Sequence, residues 1–177
     1  AQSGYSGTIW HWSLKAPFSD LLNATTSWVG EPALNASDVV GSFDASGVFT
    51  PGAVRECNAD SSKCVWWLFF GGVANQSAAH TEAVGVARAS TPFGPFERHP
   101  GNPVFSYSDA NSRWCGSDGA ARVDEIKPSS VGGQKLLVVK SVCANFTALP
   151  VVYEPVDSTS WGPPYQPASP SGTPSRR

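Results

Sequence analysis

The stretch that decides the fold is Val65-Trp66-Trp67-Leu68-Phe69-Phe70, which is followed directly by Gly71-Gly72. An uninterrupted apolar run of this length, rich in aromatic residues and ended by a glycine pair, is typical of a β-strand buried on both faces. The same pattern returns at residues 136–142, and shorter strand patterns follow the two runs at residues 83–88 and 149–153. Helical signals are nearly absent. We therefore predict an all-β protein.

These strands belong to two copies of an internal repeat. Each copy reads as strand, turn, strand, loop and strand, followed by a turn rich in glycine, proline and aromatic residues, which is how one blade of a β-propeller reads. The predicted divisions are an N-terminal segment at 1–40 that could belong to a further blade, a blade at 41–105, a blade at 106–165, and a Pro/Ser-rich tail without a strand pattern at 166–177.

The number of blades conflicts with a closed ring. A propeller needs roughly four to eight blades, whereas this chain supplies two to three. Either the chain is a fragment, or other chains complete the ring, or the fold is not a propeller.

Composition narrows the classes of partner. Lys+Arg total 12 against Asp+Glu 14, so the formal net charge is only −2, and no basic excess is present to neutralise the phosphates of nucleic acid. No apolar run approaches the roughly 20 residues that span a bilayer. The apolar fraction of 41% is too high for a disordered chain. We expect a globular protein that binds neither nucleic acid nor membrane.

The cysteines and the N-x-S/T sequons point to secretion. Cys57 and Cys64 enclose a short polar stretch that reads as a turn closed by a disulfide, and Cys115 and Cys143 would then form a second pair. Four sequons begin at Asn23, Asn35, Asn75 and Asn145, and each is a potential N-glycosylation site. The sequence contains no Met, so we expect that Ala1 is not an initiator and that the chain is processed or excised. The alternative is a cytosolic protein with free buried cysteines and chance sequons.

Two acidic residues, Asp44 and Asp124, occupy corresponding places at the start of the two repeats. Because the first strand of each propeller blade lines the central channel, we predict that the two carboxylates face one another across a funnel. Two carboxyl groups in that arrangement are what hydrolysis of a glycosidic bond requires, one to activate water and one to assist the leaving group. The other interpretation is that each Asp, lying near Gly and Ser, caps a turn.

Several strings resemble the five-bladed propeller glycoside hydrolases, and the pattern is similar to families 43 and 117. They are Phe43-Asp44 with Val48-Phe49-Thr50-Pro51, the strand at 66–72, and residues 83–96, and the resemblance covers roughly 41–165. Family 117 cleaves the α-1,3 linkage of agar-derived neoagaro-oligosaccharides. The resemblance implies hydrolysis with inversion, with a Glu and often a His contributed by later blades, before which this sequence ends.

The resemblance also assigns roles to individual residues. Asp44 would be the general base that activates water, and Asp124 would hold the sugar or tune the pKa of the acid. The Arg122-Val123-Asp124 segment resembles the second acidic motif of family 117, which normally carries two consecutive Asp, whereas the second position here is Glu125. Arg122 and Glu125 are therefore candidate substrate-binding residues, although Arg122 could equally form a structural ion pair with Asp124.

His80 is a further candidate for contact with substrate, since it lies in a loop that could reach the funnel rim; the alternative is a solvated loop histidine. No cofactor is predicted, because the sequence has no phosphate-binding loop, nucleophile elbow or metal-ligand spacing. The resemblance allows a Ca²⁺ or Mg²⁺ ion in the propeller channel, but no ligand set can be recognised in this sequence.

Together these features predict a secreted glycoside hydrolase-like protein that acts on plant or algal oligo- or polysaccharide. The alternative is a non-catalytic carbohydrate-binding or structural extracellular glycoprotein on a propeller scaffold.

Overall fold

A computed structural model describes residues 7–14, 28–59, 61–75, 82–106, 121–143 and 148–168. Ten β-strands and no helix occur in these ranges, so the prediction of an all-β protein is confirmed. Within the same ranges, accordingly, no helix has the length and apolar character needed to cross a membrane.

The strands form one two-stranded ribbon and two four-stranded sheets, all antiparallel. The ribbon consists of β1 (Thr8–Leu14) and β2 (Trp28–Asn35). The first sheet has the order β3 (Gly47–Cys57), β4 (Cys64–Val73), β5 (Glu82–Ala89), β6 (Glu97–Arg98). The second sheet has β7 (Ala121–Val131), β8 (Gln134–Cys143), β9 (Ala148–Pro155), β10 (Tyr165–Pro167) in the same succession. The two sheets therefore share one strand order.

The last strand, β10, lies where the sequence predicts a tail. Tyr165 pairs with Pro155 and Pro167 with Tyr153, so the second sheet extends two residues beyond the predicted boundary at 166. Three residues are too few to show an alternating pattern, and a proline is tolerated at a sheet edge because its missing N–H would face outward. A short edge strand of this kind leaves no signal in the sequence.

The decisive strand β4 is buried on both faces, as predicted, because its side chains enter two different cores. Trp67 and Phe69 belong to a core between the first and second sheets. Leu68 and Phe70 belong to a core between the first sheet and the ribbon. The first sheet is therefore the central layer, with the ribbon on one face and the second sheet on the other.

The carboxylate of Glu56 joins the first sheet to the second. Glu56 of β3 accepts hydrogen bonds from the indole N–H of Trp67 at 2.8 Å and from the backbone N–H of Trp161 at 3.1 Å, and it forms an ion pair with Lys135 of β8 at 3.2 Å. Tyr165 lies nearby. Burial of its hydroxyl is the main cause that raises the pKa of Tyr165 above the ordinary value, and the negative charge of Glu56 raises it further. We call Glu56 with its partners Trp67, Trp161 and Lys135 the Glu56 clamp.

The predicted disulfide between Cys57 and Cys64 is present, and it closes the turn between β3 and β4. Cys115 lies outside the described residues, so its pairing with Cys143 stays a prediction. Two of the sequon asparagines, Asn35 at the end of β2 and Asn75 after β4, are exposed. Asn23 and Asn145 lie outside the described residues.

Candidate functional site

The first strands of the two sheets, β3 and β7, pack side by side, and we call them the inner strands. Gly52 approaches β7 so closely that an added Cβ would lie 2.3 Å from the carbonyl oxygen of Ile126. The amide of Val123 donates a hydrogen bond to the carboxylate of Glu82. Glu82 pairs with Val73, which in turn pairs with Gly47, the first residue of β3. The inner strands therefore begin at the same end of the molecule.

Each inner strand carries a β-bulge near its start. The pairing register is interrupted at Thr50 and Pro51 in β3 and at Asp124 in β7. Thr50 has a φ of 44°, which is an outlier for a β-branched residue, and its buried hydroxyl has no hydrogen-bond partner among the described residues. Bulges of this kind redirect side chains and are common beside active sites.

The prediction that Asp44 and Asp124 occupy corresponding places is wrong. Asp124 is the fourth residue of β7, whereas Asp44 lies in a turn three residues before β3 begins. The residue that corresponds to Asp124 in the first sheet is Thr50, the fourth residue of β3. The Gly- and Ser-rich segment around Asp44 forms a turn instead of extending β3, so Asp44 does not lie on an inner strand.

Asp44 is fully buried, with 0% of its surface exposed. Its carboxylate accepts hydrogen bonds from the Ser42 hydroxyl and from Nε of Arg98 at 2.7 Å. The guanidinium of Arg98 also donates to the carbonyl oxygen of Asn35 and lies 5.8 Å from the centre of the Phe70 ring. The carboxylate therefore holds the turn before β3 to the last strand of the first sheet and, through Arg98, to the ribbon.

Asp124 is more accessible, and it is paired with a cation. Nζ of Lys140, on the neighbouring strand β8, donates to its carboxylate at 2.6 Å, and the two side chains are 40% and 36% exposed for Lys140 and Asp124 respectively. The hydrogen bond to Asp124, together with the charge of that carboxylate, raises the pKa of Lys140 above its ordinary 10.5. The β7 bulge thus presents an ion pair at the surface near the start of the inner strands.

We expect this ion pair to give a pH-dependent contribution to stability. Because the pKa of Lys140 is higher in the folded than in the unfolded chain, the contribution is complete below pH 10.5 and is lost as the pH rises through the folded pKa. Asp124→Asn should therefore lower the thermal unfolding midpoint at pH 8 and have a smaller effect at pH 12. An equal reduction at both pH values would contradict the pairing.

A third charged residue at this place, Glu82, was missed by the sequence analysis. Its Oε2 accepts the hydrogen bond from the amide of Val123, the residue directly before Asp124. Covalent geometry therefore keeps the carboxyl groups of Glu82 and Asp124 within about 11 Å of one another. No sequence signal marks Glu82, since it is an isolated acid before an apolar strand and its contact spans 41 residues. We call Asp124, Lys140 and Glu82 the inner-strand site.

The other predicted site residues stand apart from this group or outside the description. Glu125 is exposed on β7. Arg122 lies on β7, but its side chain is outside the described part of the structure, as is the whole of His80. Where the side chains are described, no group of three or more His, Cys, Asp or Glu residues is arranged to hold a metal ion.

No family model and no curated protein sequence matches the chain. The functional assignment therefore rests on the site itself.

Proposed function

We propose that the chain is part of a secreted, carbohydrate-active β-propeller that hydrolyses glycosidic bonds of plant or algal oligo- or polysaccharide with inversion. The observation that carries the proposal is the inner-strand site, where the carboxyl groups of Glu82 and Asp124 lie within about 11 Å of one another near the start of β7. An inverting hydrolase needs two carboxyl groups about 6.5–9.5 Å apart, with space for a water molecule between them, and the 11 Å limit accommodates that separation.

The residues of the site suit different parts of this reaction. Asp124 is half-exposed, and the ammonium group of Lys140 stabilises negative charge on it, so Asp124 is the stronger candidate for activating water. Glu82 is anchored to the Val123 amide and is placed to position a sugar. The role of general base that the resemblance implies for Asp44 stays a prediction, and its carboxylate has no exposed surface through which water could reach it. The proton donor would come from further blades.

The propeller and secretion are parts of the same proposal. Two sheets of one strand order, packed face to face, are what adjacent blades of a propeller provide, and the ring would be completed by further blades of the same or another chain. The Cys57–Cys64 disulfide and the exposed sequon residues Asn35 and Asn75 support an extracellular glycoprotein.

The experiment is a product assay on neutral plant and algal oligosaccharides. We expect release of new reducing ends, and Asp124→Asn should lower kcat by at least about a hundredfold, since it removes the group that takes the proton from water. Glu154→Gln is the matched control, because Glu154 is an acid of the same sheet whose carboxylate accepts hydrogen bonds from the exposed side chains of Gln134 and Gln166. Unchanged turnover in the Asp124 variant would exclude this site.

A non-catalytic, glycan-binding role is the second candidate. The burial of Asp44 and its ion pair with Arg98 favour it, because the carboxylate that the resemblance assigns to catalysis is occupied by a structural contact. Binding of oligosaccharide in a calorimeter, with no product after prolonged incubation, would identify this role.

A further inference from the structure

One face of the ribbon presents three tryptophans to solvent. Trp10 and Trp12 are two residues apart on β1, so their side chains share a face. Trp10 lies opposite Pro32, Trp12 opposite Gly30, and Trp28 of β2 lies opposite residue 14, which places all three indoles on that face. They are 48%, 59% and 50% exposed for Trp10, Trp12 and Trp28. We call this surface the tryptophan face.

The opposite face of the ribbon is already used. Ile9 of β1 and Leu34 of β2 are paired with one another and buried in the core against the first sheet. His11, the next residue of β1 on that side, contacts the ring of Phe93 with 4.4 Å between centroids. The tryptophan face therefore points away from the first sheet.

The ring of Trp12 lies against the glycine opposite it. An added Cβ at Gly30 would lie 2.9 Å from two atoms of the indole six-membered ring, so glycine is the residue that leaves room for the ring beside the backbone of β2. Trp12 nevertheless stays 59% exposed. The neighbouring Trp10 ring is centred 6.4 Å away and inclined by 31°. The two indoles are therefore adjacent on the tryptophan face.

The absence of basic residues from the two ribbon strands narrows the kinds of ligand that fit the tryptophan face. The strands at 8–14 and 28–35 contain no Lys or Arg, so these two strands supply no Lys or Arg side chain to contact the phosphates of a nucleic acid or of an anionic lipid surface. The face of an indole is electron-rich and attracts groups that carry partial positive charge. The C–H groups on the flat face of an uncharged pyranose ring have that property.

The composition of the face also differs from that of the packed faces of this molecule. The core between the two sheets uses branched aliphatic side chains such as Val84, Val86 and Leu137 beside its aromatic rings. These residues interdigitate, whereas the tryptophan face presents its three indoles with Gly30 and Pro32 opposite them, next to the hydrogen-bonded polar pair Thr8 and Asn35. Flat, rigid rings favour a flat ligand over a second sheet.

We propose that the tryptophan face is a binding site for a neutral polysaccharide chain, whose sugar rings stack on Trp12 and Trp10, with Trp28 extending the contact. The site deepens the proposed carbohydrate-related function by naming an uncharged pyranose polymer as its ligand. It does not require turnover at the inner-strand site, and it would retain the polymer while another part of the molecule acts on it.

Affinity electrophoresis of the full chain tests the proposal, with gels containing barley β-glucan, xyloglucan or laminarin. We expect at least one polymer to retard the wild-type chain, and Trp12→Ala to weaken the apparent affinity at least tenfold. Gly30→Ala keeps all three tryptophans but displaces the Trp12 ring, so it should weaken binding severalfold. Phe93→Ala removes an exposed aromatic ring outside the face and should bind as the wild type does.

Two further measurements make the result decisive. Circular dichroism and unfolding midpoints show that Trp12→Ala and Gly30→Ala remain folded, so that lost binding reflects the face itself. Retardation in the gel and release of product are measured separately, so loss of retardation in Trp12→Ala tests this face whether or not the chain hydrolyses the polymer. The proposal is overturned if no neutral polymer retards the chain, if Trp12→Ala binds unchanged, or if sedimentation shows dimers that Trp12→Ala dissociates, because a second copy would then cover the face.

Discussion

Asp44→Asn is expected to lower the free energy of unfolding by about 3 kcal/mol. The substitution removes the negative charge that faces Arg98, and it places an amide N–H₂ or a weaker acceptor where the carboxylate receives the Ser42 hydroxyl and the guanidinium. Breaking a buried ion pair by removing one partner typically costs about 3–5 kcal/mol. We take the lower end because the side chain of Arg98 is 30% exposed, so water can solvate part of the cation that is left behind.

Equilibrium urea unfolding measures this loss, and strands β5 and β6 of the same sheet supply the control. Arg88 and Glu97 form an ion pair between β5 and β6 at 4.0 Å, with side chains 59% and 79% exposed. Glu97→Gln should change stability by less than about 0.5 kcal/mol, because exposed pairs contribute little. If Asp44→Asn were as stable as the wild type but inactive in a protein that hydrolyses sugars, the structural role would be wrong and the role of general base supported.

The strands and the first disulfide could be predicted because their signals are local. The apolar run at 65–70 with its glycine pair marks β4 without reference to any other part of the chain, and Cys57 and Cys64 face one another across a short turn. The same local reasoning failed for Asp44. Its place relative to β3 depends on how the intervening turn folds, and only two residues separate Asp44, in its buried ion pair, from the first residue of the inner strand.

The candidate site depends on contacts between distant segments, which the sequence does not display. Glu82 meets Val123 across 41 residues, and Arg98 meets Asp44 across 54. Such pairs look like isolated surface charges in the sequence, since nothing local distinguishes them from solvated residues. The tryptophan face could be predicted from the sequence only in part. The spacing of Trp10 and Trp12 on one strand is visible in the sequence, but the glycine beneath Trp12 is known only from the register of the ribbon.

Glu56→Ala should have an effect of similar size, about 3 kcal/mol, because one carboxylate serves several donors of the Glu56 clamp. The indole N–H of Trp67 and the backbone N–H of Trp161 both lose their acceptor, and these residues are only 7% and 3% exposed. A buried donor left without a partner costs about 1–3 kcal/mol. The ammonium group of Lys135 also loses its ion pair with the Glu56 carboxylate. Because the Lys135 side chain is only 18% exposed, water cannot fully replace that carboxylate.

Urea unfolding of Glu56→Ala and of a matched variant, Glu154→Ala, separates this clamp from an ordinary surface contact. Glu154 also accepts two side-chain hydrogen bonds, from Gln134 and Gln166, but both are exposed and lie within the second sheet, so its loss should cost less than about 1 kcal/mol. Because the clamp joins two sheets across 105 residues, Glu56→Ala should also reduce the dependence of stability on urea concentration if the sheets begin to unfold separately. Equal losses in the two variants would show that the contact between the sheets rests on their apolar core and not on Glu56.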